Sequence, residues 1–177
     1  MLKLSDEQKA ILKNAIDRAQ RIDGLDSSLQ HIYQEFQIEL DQRKPKCDAS
    51  GRCCHFEAFG HRLFVSTIEL VVFASKVGRG ELKWDGTGCP FHVDGLCSVH
   101  DSRPFGCRIF FCDPTSVDWQ SSNYERFHSK IKSLHESFGV DYLYVEWREG
   151  LSVLGISGST DDSAGDSPGD RLRVIKD

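Results

Sequence analysis

The sequence predicts an α+β fold in which about four helices surround a small, cysteine-rich centre that contains a β-hairpin. Apolar residues recur at helical spacing in four segments, and each segment begins with a serine in capping-box spacing. Strand signals are few and short. All seven cysteines fall between Cys47 and Cys112, and most of them stand beside glycine or proline. The 177 residues suffice for one domain with its own core and some additional residues at the ends.

Two helices are predicted for the first unit of the chain, residues 1–42. In each helix a serine and a glutamine three positions later have capping-box spacing, and these serines are Ser5 and Ser27. Apolar stripes at helical spacing follow both serines, and Gly24 separates them. We expect the two helices to pack against each other as an antiparallel hairpin.

The second predicted unit, residues 43–150, contains every cysteine. A short apolar run at residues 62–65 predicts a strand. Ser66 and Glu69 then have capping-box spacing, and the helix that follows is apolar on most sides, so we expect it to be buried. A later helix is predicted to start in the same way, at Ser122.

A β-hairpin is predicted in the middle of this unit. Asp94-Gly95 stands between two short apolar runs, which is a strong signal for a two-residue turn. The turn would place Cys89 and Cys97 on neighbouring strands. Proline and glycine just before Cys107 predict an irregular loop at that point.

The last part of the chain is predicted in less detail. The helix from Ser122 should end at Gly139. Residues 142–147 are predicted to be either a strand or a docked amphipathic segment, and their period does not separate the two. The third unit, residues 151–177, is rich in Ser, Gly and Asp. We predict a largely disordered tail, because few apolar residues are present to offset the entropy of ordering it.

Composition excludes several classes of function. A net charge of −5 argues against a nucleic-acid-binding protein that depends on a general basic field, although a local basic patch stays open. The charged N-terminal segment has no apolar core typical of a secretory signal, and no run approaches the roughly 18 apolar residues of a membrane span. We therefore expect a cytoplasmic protein without a membrane partner. Structural disulfides are rare in that compartment, and seven cysteines would leave one unpaired.

The positions of the cysteines favour metal coordination. Ligands that are close in sequence must sit on turns if their side chains are to converge, and glycine or proline accompanies every cysteine except Cys112. Zinc and iron–sulfur clusters both take three or four thiolates. The spacing is not that of a standard zinc finger or ferredoxin, since it contains no C-x-x-C pair. Redox or nucleophilic thiols, disulfides and plain packing remain the alternatives.

Two segments, "CDASGRCC" and "GCPFHVDGLCSVHDSRPFGCRIF", resemble the YkgJ-type cysteine-cluster family, a zinc- or iron-chelating domain. The resemblance covers about residues 45–115. Its most specific parts are the block "RPFGCRIF" at residues 103–110 and the hairpin with C-P followed by G-x-C. The resemblance implies that zinc or an iron–sulfur cluster is bound by Cys47, Cys53, Cys54, Cys89, Cys97 and Cys107.

One position departs from the family pattern. The second family cysteine is Ser50 in this chain, and serine is a poor zinc or iron ligand at neutral pH. Cys112 is the replacement that we favour, because another thiolate preserves the charge and softness of the ligand set. His55, His92 and His100 are the other candidate donors.

Two further expectations concern the neighbours of the ligands. Adjacent side chains usually diverge, so we expect one of Cys53 and Cys54 to ligate and the other to pack, unless the pair spans more than one metal. Arg103 and Arg108 flank Cys107 and either offset thiolate charge or clamp backbone carbonyls. His92 would face Cys97 across the hairpin, as an exposed residue or as a donor to a ligand.

Three functions follow from these observations. The first is a metal-binding module that is structural or serves a partner protein. The second is an enzyme that uses the centre for redox chemistry or methyl transfer, since the family is linked to a flagellin lysine-N-methylase. The third is a metal chaperone or store. The sequence contains no nucleotide-binding glycine loop and no Ser/His/Asp or H-E-x-x-H arrangement that would support a different enzyme.

Overall fold

The structure, a computed structural model, describes residues 3–78, 80, 82–156 and 158–159. In this part of the chain the helices are α1 (Asp6–Ala19), α2 (Leu25–Arg43), α3 (Phe56–Phe59), α4 (Thr67–Val77), α5 (Phe105–Ile109), α6 (Val117–Phe138) and α7 (Trp147–Val153). The strands are β1 (Phe64–Ser66), β2 (Leu82–Lys83), β3 (His92–Val93), β4 (Leu96–Cys97), β5 (Tyr144–Glu146) and β6 (Gly158–Ser159). The predicted α+β class is confirmed.

The number of helices was predicted too low. Seven α-helices lie within the described residues, against about four predicted. The additional ones are α3, α5 and α7, with 4, 5 and 7 residues. Helices of one or two turns have too few positions for a periodic apolar stripe, so period alone does not find them.

The N-terminal helices start differently from each other. Ser5 caps α1 as predicted: its Oγ accepts a hydrogen bond from Gln8 N at 3.2 Å, and Gln8 Oε1 accepts one from Ser5 N at 2.9 Å. The predicted start of α2 at Ser27 is wrong. This helix begins directly after Gly24, whose φ of 84° is left-handed, and thereby buries Leu25. The Ser27 hydroxyl donates to Gly24 O at 3.0 Å instead.

The two N-terminal helices belong to the common core. α1 packs mainly on α4, and α2 packs on α4 and α6, so their main partners are later helices rather than each other. The predicted two-helix hairpin is therefore replaced by packing across the whole fold. The buried apolar side chains form one cluster that includes Leu12, Ile16, Phe36, Leu70, Phe73, Phe127, Trp147 and Leu151.

α4 lies at the centre of this core, as predicted. The strand before it, β1, pairs antiparallel with β5, and Val65 is opposite Val145. Ser66 and Glu69 form the predicted capping box, in which Glu69 Oε2 accepts from Ser66 N at 2.9 Å. Of the two alternatives for residues 142–147, the strand is observed, and it runs directly into α7 at its last residue.

α6 starts earlier than predicted. It begins at Val117, five positions before the predicted cap at Ser122, which lies inside the helix. The Asp113 carboxylate accepts hydrogen bonds from Thr115 N at 2.9 Å and from Ser116 Oγ at 3.1 Å. This carboxylate caps the 3-10 turn Pro114–Ser116, which leads directly into the helix. The predicted end at Gly139 is confirmed, with φ 63°.

The packed part of the chain extends beyond residue 150. Leu151, Leu154 and Ile156 are buried in the core, and β6 pairs in parallel with β2. The predicted disordered tail therefore begins too early, because these apolar residues complete the cover of the core. Residues 160–177 of that prediction lie outside the described residues. Within the described part, no helix is both long and apolar enough to traverse a bilayer.

Candidate metal centre

The predicted β-hairpin is present and carries one cysteine on a strand. β3 and β4 pair antiparallel with His92 opposite Cys97. Asp94 and Gly95 form the turn with φ values of 50° and 81°, as a two-residue hairpin with two left-handed positions requires. Cys89 is not on a strand, contrary to the prediction. It lies in the turn before β3, where its carbonyl oxygen accepts from His92 N at 3.0 Å.

The first cysteine segment closes with a tight turn. Gly51 has φ 68° and precedes a single 3-10 turn, Arg52–Cys54, in which Cys54 N donates to Gly51 O at 2.8 Å. A Cβ atom at Gly51 would collide with His92 Nε2, so glycine is required for the close approach of this turn to the hairpin. The turn and the hairpin thus present their cysteines to the same region.

Five thiols lie close together there, and we call them the five-thiol cluster: Cys53, Cys54, Cys89, Cys97 and Cys107. Cys53 Sγ and Cys54 Sγ are 4.0 Å apart. The Cys54 thiol also interacts electrostatically with those of Cys89 and Cys97, and Cys107 interacts electrostatically with Cys54, Cys53 and Cys97. Three separate segments of the chain contribute to the cluster.

The members of the cluster differ in exposure from the other two cysteines. Cys54 is buried and the other four are partly buried, whereas Cys47 and Cys112 are exposed. All seven cysteines are free thiols. Cys47 and Cys112 each adjoin one partner of a hydrogen bond in which Lys46 N donates to Asp113 Oδ2 at 3.1 Å. Both residues therefore lie at the surface near that link.

Burial and interactions with neighbouring thiols raise the pKa values of four of the clustered thiols, Cys53, Cys54, Cys97 and Cys107. The hydrogen bond with Cys53 lowers the pKa of Cys54, but the hydrogen bond with Cys89 and burial raise it, to about 12 overall. The hydrogen bond with Cys54, followed by burial, raises the pKa of Cys53. Burial is the largest cause of the raised pKa values of Cys97 and Cys107. Deprotonating several of these groups together requires a compensating cation.

Among the described residues, no three or more His, Cys, Asp or Glu side chains form a group that could hold a metal ion as they stand. With Zn–S bonds of about 2.3 Å, the sulfurs of a tetrahedral site lie about 3.8 Å apart. The distance of 4.0 Å between Cys53 Sγ and Cys54 Sγ is near this edge length. The two adjacent side chains therefore lie close together, whereas divergence was predicted.

His92 carries a buried nitrogen without a partner. Its Nε2 atom is inaccessible to solvent and has no hydrogen-bond partner within the described part of the chain. The ring lies 4.6 Å from that of His55 and is edge-on to it. Orphaned buried polar atoms are rare in native proteins and point to an absent water or ion. A nitrogen donor beside thiols fits the ligand chemistry of zinc.

The two arginines beside Cys107 combine both predicted roles. Arg103 Nη1 donates to Cys107 O at 3.3 Å, and its charge lowers the pKa values of nearby cluster thiols. Arg108 Nη2 donates to Asp101 O at 2.6 Å, and its guanidinium carbon lies 4.4 Å from the centroid of the Tyr33 ring. Arg103 thus opposes thiolate charge, while Arg108 mainly clamps the loop.

A partly buried ion network contacts the backbone next to Cys89, and no sequence motif indicated it. Glu57 Oε2 accepts from Gly88 N at 2.7 Å, and its Oε1 pairs with Arg148 Nη1 at 2.5 Å. Arg148 Nε also donates to Glu146 Oε1 at 3.0 Å. These partners are far apart in sequence and belong to no motif, so no local signal could have found them.

One side of the cluster faces an open cavity of about 650 Å³. Cys53 and Cys107 contribute to its wall, and so does Cys112. We call it the lateral cavity; it lies between the loop at Arg62, the segment that follows α5 and the first turns of α6. A small molecule in this cavity would be next to two of the clustered thiols.

Comparison with models of protein families, with curated proteins and with solved structures finds no match to this chain.

Proposed function

We propose that the protein is a metal-binding module that holds a zinc ion through the five-thiol cluster. The observation that carries the proposal is the meeting of thiols from three segments: the turn at Cys53 and Cys54, the hairpin region with Cys89 and Cys97, and Cys107 on α5. Thiolates are soft ligands that suit zinc, and a cluster of this size holds enough of them to complete a tetrahedral site. The resemblance of the motifs to the YkgJ-type family agrees with this function.

The local architecture explains what the metal would contribute. The segments around the cluster consist of single turns, two-residue strands and a five-residue helix, which have little regular backbone bonding of their own. Bound zinc would supply a dication that cross-links these segments, so its binding energy would become folding energy.

Charge and donor type support the same proposal. Four thiolates around a zinc dication leave a net charge of −2, which the nearby Arg103 guanidinium offsets in part. His92 Nε2 is an additional candidate donor, because it is buried and unpartnered next to the hairpin cysteine. A neutral nitrogen ligand in place of one thiolate would change the net charge of the site from about −2 to about −1.

Metal analysis of the reduced protein tests the proposal. We expect anaerobically purified protein to contain about one zinc per chain, and Cys54→Ser and Cys107→Ser to lose most of it. Cys47→Ala and Cys112→Ala are matched controls, because both remove an exposed thiol. Loss of metal in Cys112→Ala would instead support its predicted role as a substitute for the missing cysteine at Ser50. Protein that holds neither zinc nor iron, although fully reduced, would show that the proposal is wrong.

A second candidate is an enzyme that carries an iron–sulfur cluster for redox or methyl-transfer chemistry. The specific observation in its favour is that the lateral cavity reaches Cys53 and Cys107, because a purely structural site needs no such access. Brown protein with absorption at about 400 nm after anaerobic purification would favour the enzyme. Colourless protein with tightly held zinc would favour the structural module.

A further inference from the structure

We propose that the lateral cavity is a binding site for a small organic anion with an apolar body. The inference rests on the shape, walls and charges of the cavity and does not depend on the metal. Its volume of about 650 Å³ is within the range of roughly 300–1,000 Å³ that is usual for small-molecule sites.

The walls of the cavity are predominantly apolar. Phe56, Leu63 and Ile109 form a buried part of the wall, with exposures of 2%, 8% and 4%. At the mouth, Phe110 and Val117 are large apolar side chains that remain 43% and 56% exposed. A ligand that covers this apolar surface removes it from water, which contributes favourably to the free energy of binding.

The cavity is held open by contacts within the protein. The Gln120 side chain bonds both backbone groups of Phe111, accepting from its N at 2.8 Å and donating to its O at 3.2 Å. His61 stacks on Phe110 with ring centroids 5.4 Å apart, and its Nε2 lies 3.1 Å from Cys53 O. These bonds fix the wall without a ligand, so little ordering energy is lost when one binds.

The charged groups at the cavity wall are Arg62, Asp113 and Glu125, and an anionic group on the ligand would bind at Arg62. Arg62 is exposed at the wall, and no carboxylate among the described residues forms an ion pair with it. Its guanidinium fork is suited to a carboxylate. The Asp113 carboxylate is already saturated by donors from Lys46 and Thr115, among others. Glu125 is the remaining acidic group of the wall.

Isothermal titration calorimetry with three naphthalene probes tests the inference on the full chain. The probes are 2-naphthoate, neutral 2-naphthalenemethanol and cationic 2-naphthylmethylamine, which share one flat body and differ in charge. We expect one naphthoate per chain and weaker binding of the amine. Arg62→Gln should weaken naphthoate about fivefold and change the alcohol less than twofold. Phe110→Ala should weaken the binding of both naphthoate and the alcohol, because it removes part of the apolar wall.

Matched variants separate the cavity from the general surface. Arg52→Gln and Phe59→Ala remove an exposed arginine and an exposed phenylalanine outside the wall, and neither should change naphthoate binding. Failure of naphthoate to bind, equal affinity of Arg62→Gln and the parent, or tighter binding of the amine would each overturn the inference. Titrating both zinc-loaded and chelator-treated protein keeps this result separate from the test of the metal proposal.

Discussion

The amide of Cys89 donates a hydrogen bond to the carbonyl oxygen of Cys54 at 2.8 Å. This bond joins the turn of the first cysteine segment to the entrance of the β-hairpin. It also holds the backbones so close that a Cβ atom at Gly88 would lie 2.6 Å from Cys54 O. Contact between the two backbones therefore sets the distance between these thiol-bearing segments. The positions of the Cys54 and Cys89 side chains depend on that distance.

Gly88→Ala is expected to disturb the cluster more than a comparable glycine substitution elsewhere. Gly88 and Gly60 have similar φ values, 60° and 64°, but a Cβ at Gly60 would meet no atom within 4 Å. Gly60→Ala should cost about 1 kcal/mol from left-handed backbone strain alone. Gly88→Ala should cost about 1–2 kcal/mol more and weaken zinc binding, because Cys89 must move away from Cys54. Urea denaturation and competition with a chromophoric chelator measure both effects, and equal results for the two variants would contradict the argument.

Zinc affinity is expected to fall steeply as the pH falls. Cys53, Cys54, Cys97 and Cys107 have raised pKa values, about 12 for Cys54, so these four thiols are protonated at neutral pH and zinc must displace their protons. Below these pKa values each displaced proton weakens apparent binding by about tenfold per pH unit. Calorimetry in buffers of different ionisation enthalpy counts the protons released. Release of fewer than about two protons per zinc would mean that the thiols are not the main ligands.

In the ion network of Glu57, Arg148 and Glu146, replacing the buried Arg148 should lower the free energy of unfolding more than replacing the exposed Glu57. The Arg148 and Glu146 side chains are 7% and 2% exposed, whereas that of Glu57 is 51% exposed. Arg148→Met leaves the Glu146 carboxylate buried without its charged partner, so we expect a loss of about 3 kcal/mol in the free energy of unfolding. Glu57→Gln should cost at most about 1 kcal/mol, because solvent screens that pair. Chemical denaturation at neutral pH measures both, and a larger loss for Glu57→Gln would reverse the assignment.

The contribution of Glu57 is also expected to depend on pH. The hydrogen bond from Arg148, followed by that from Gly88 N, lowers the pKa of Glu57 from 4.5 to about 2. Because the folded-state pKa is depressed, the stabilisation is present above the unfolded value and disappears as the pH falls through the folded value. The stability difference between the parent and Glu57→Gln should therefore shrink between about pH 4.5 and pH 2. A difference that is constant over this interval would exclude the linkage.

Glu69→Ala is expected to destabilise the fold by about 2–4 kcal/mol. The buried Glu69 carboxylate accepts from Ser66 N at 2.9 Å, from Tyr33 OH at 3.2 Å and from Phe105 N at 2.8 Å. Its removal leaves donors from three parts of the chain without an acceptor. Glu136→Ala, on an exposed face of α6, is the matched control and should change stability by less than about 0.5 kcal/mol. Thermal and urea unfolding compare the variants, and similar losses would argue against a bridging role for Glu69.

Features that depend on neighbouring residues were predictable from the sequence. The capping boxes at Ser5 and Ser66 and the hairpin turn at Asp94 were found because each involves at most four consecutive residues. The starts at Ser27 and Ser122 were wrong because competing local signals, a left-handed glycine and an Asp–Pro turn, begin those helices earlier. Several residues in one segment can serve as the N-cap of a helix, and packing selects among them.

The candidate site was predictable in its parts but not in its assembly. The sequence placed every cysteine except Cys112 beside turn residues and named Cys53, Cys54, Cys89, Cys97 and Cys107 among the candidates. It did not separate these from the exposed Cys47 and Cys112. It also contained no sign of the Glu57–Arg148 link or of the lateral cavity, because these arise between segments with no local relationship.

The amino-acid sequence by itself determined the helical character of the long segments, the hairpin turn and the supply of thiols on flexible turns. Those properties follow from side-chain size, backbone freedom and capping within a few residues. Only the tertiary structure decided which thiols meet, because their separation depends on how α4, α5 and the hairpin pack around a shared core. Contacts over such sequence distances are set by the burial of the whole apolar surface, which no short motif encodes.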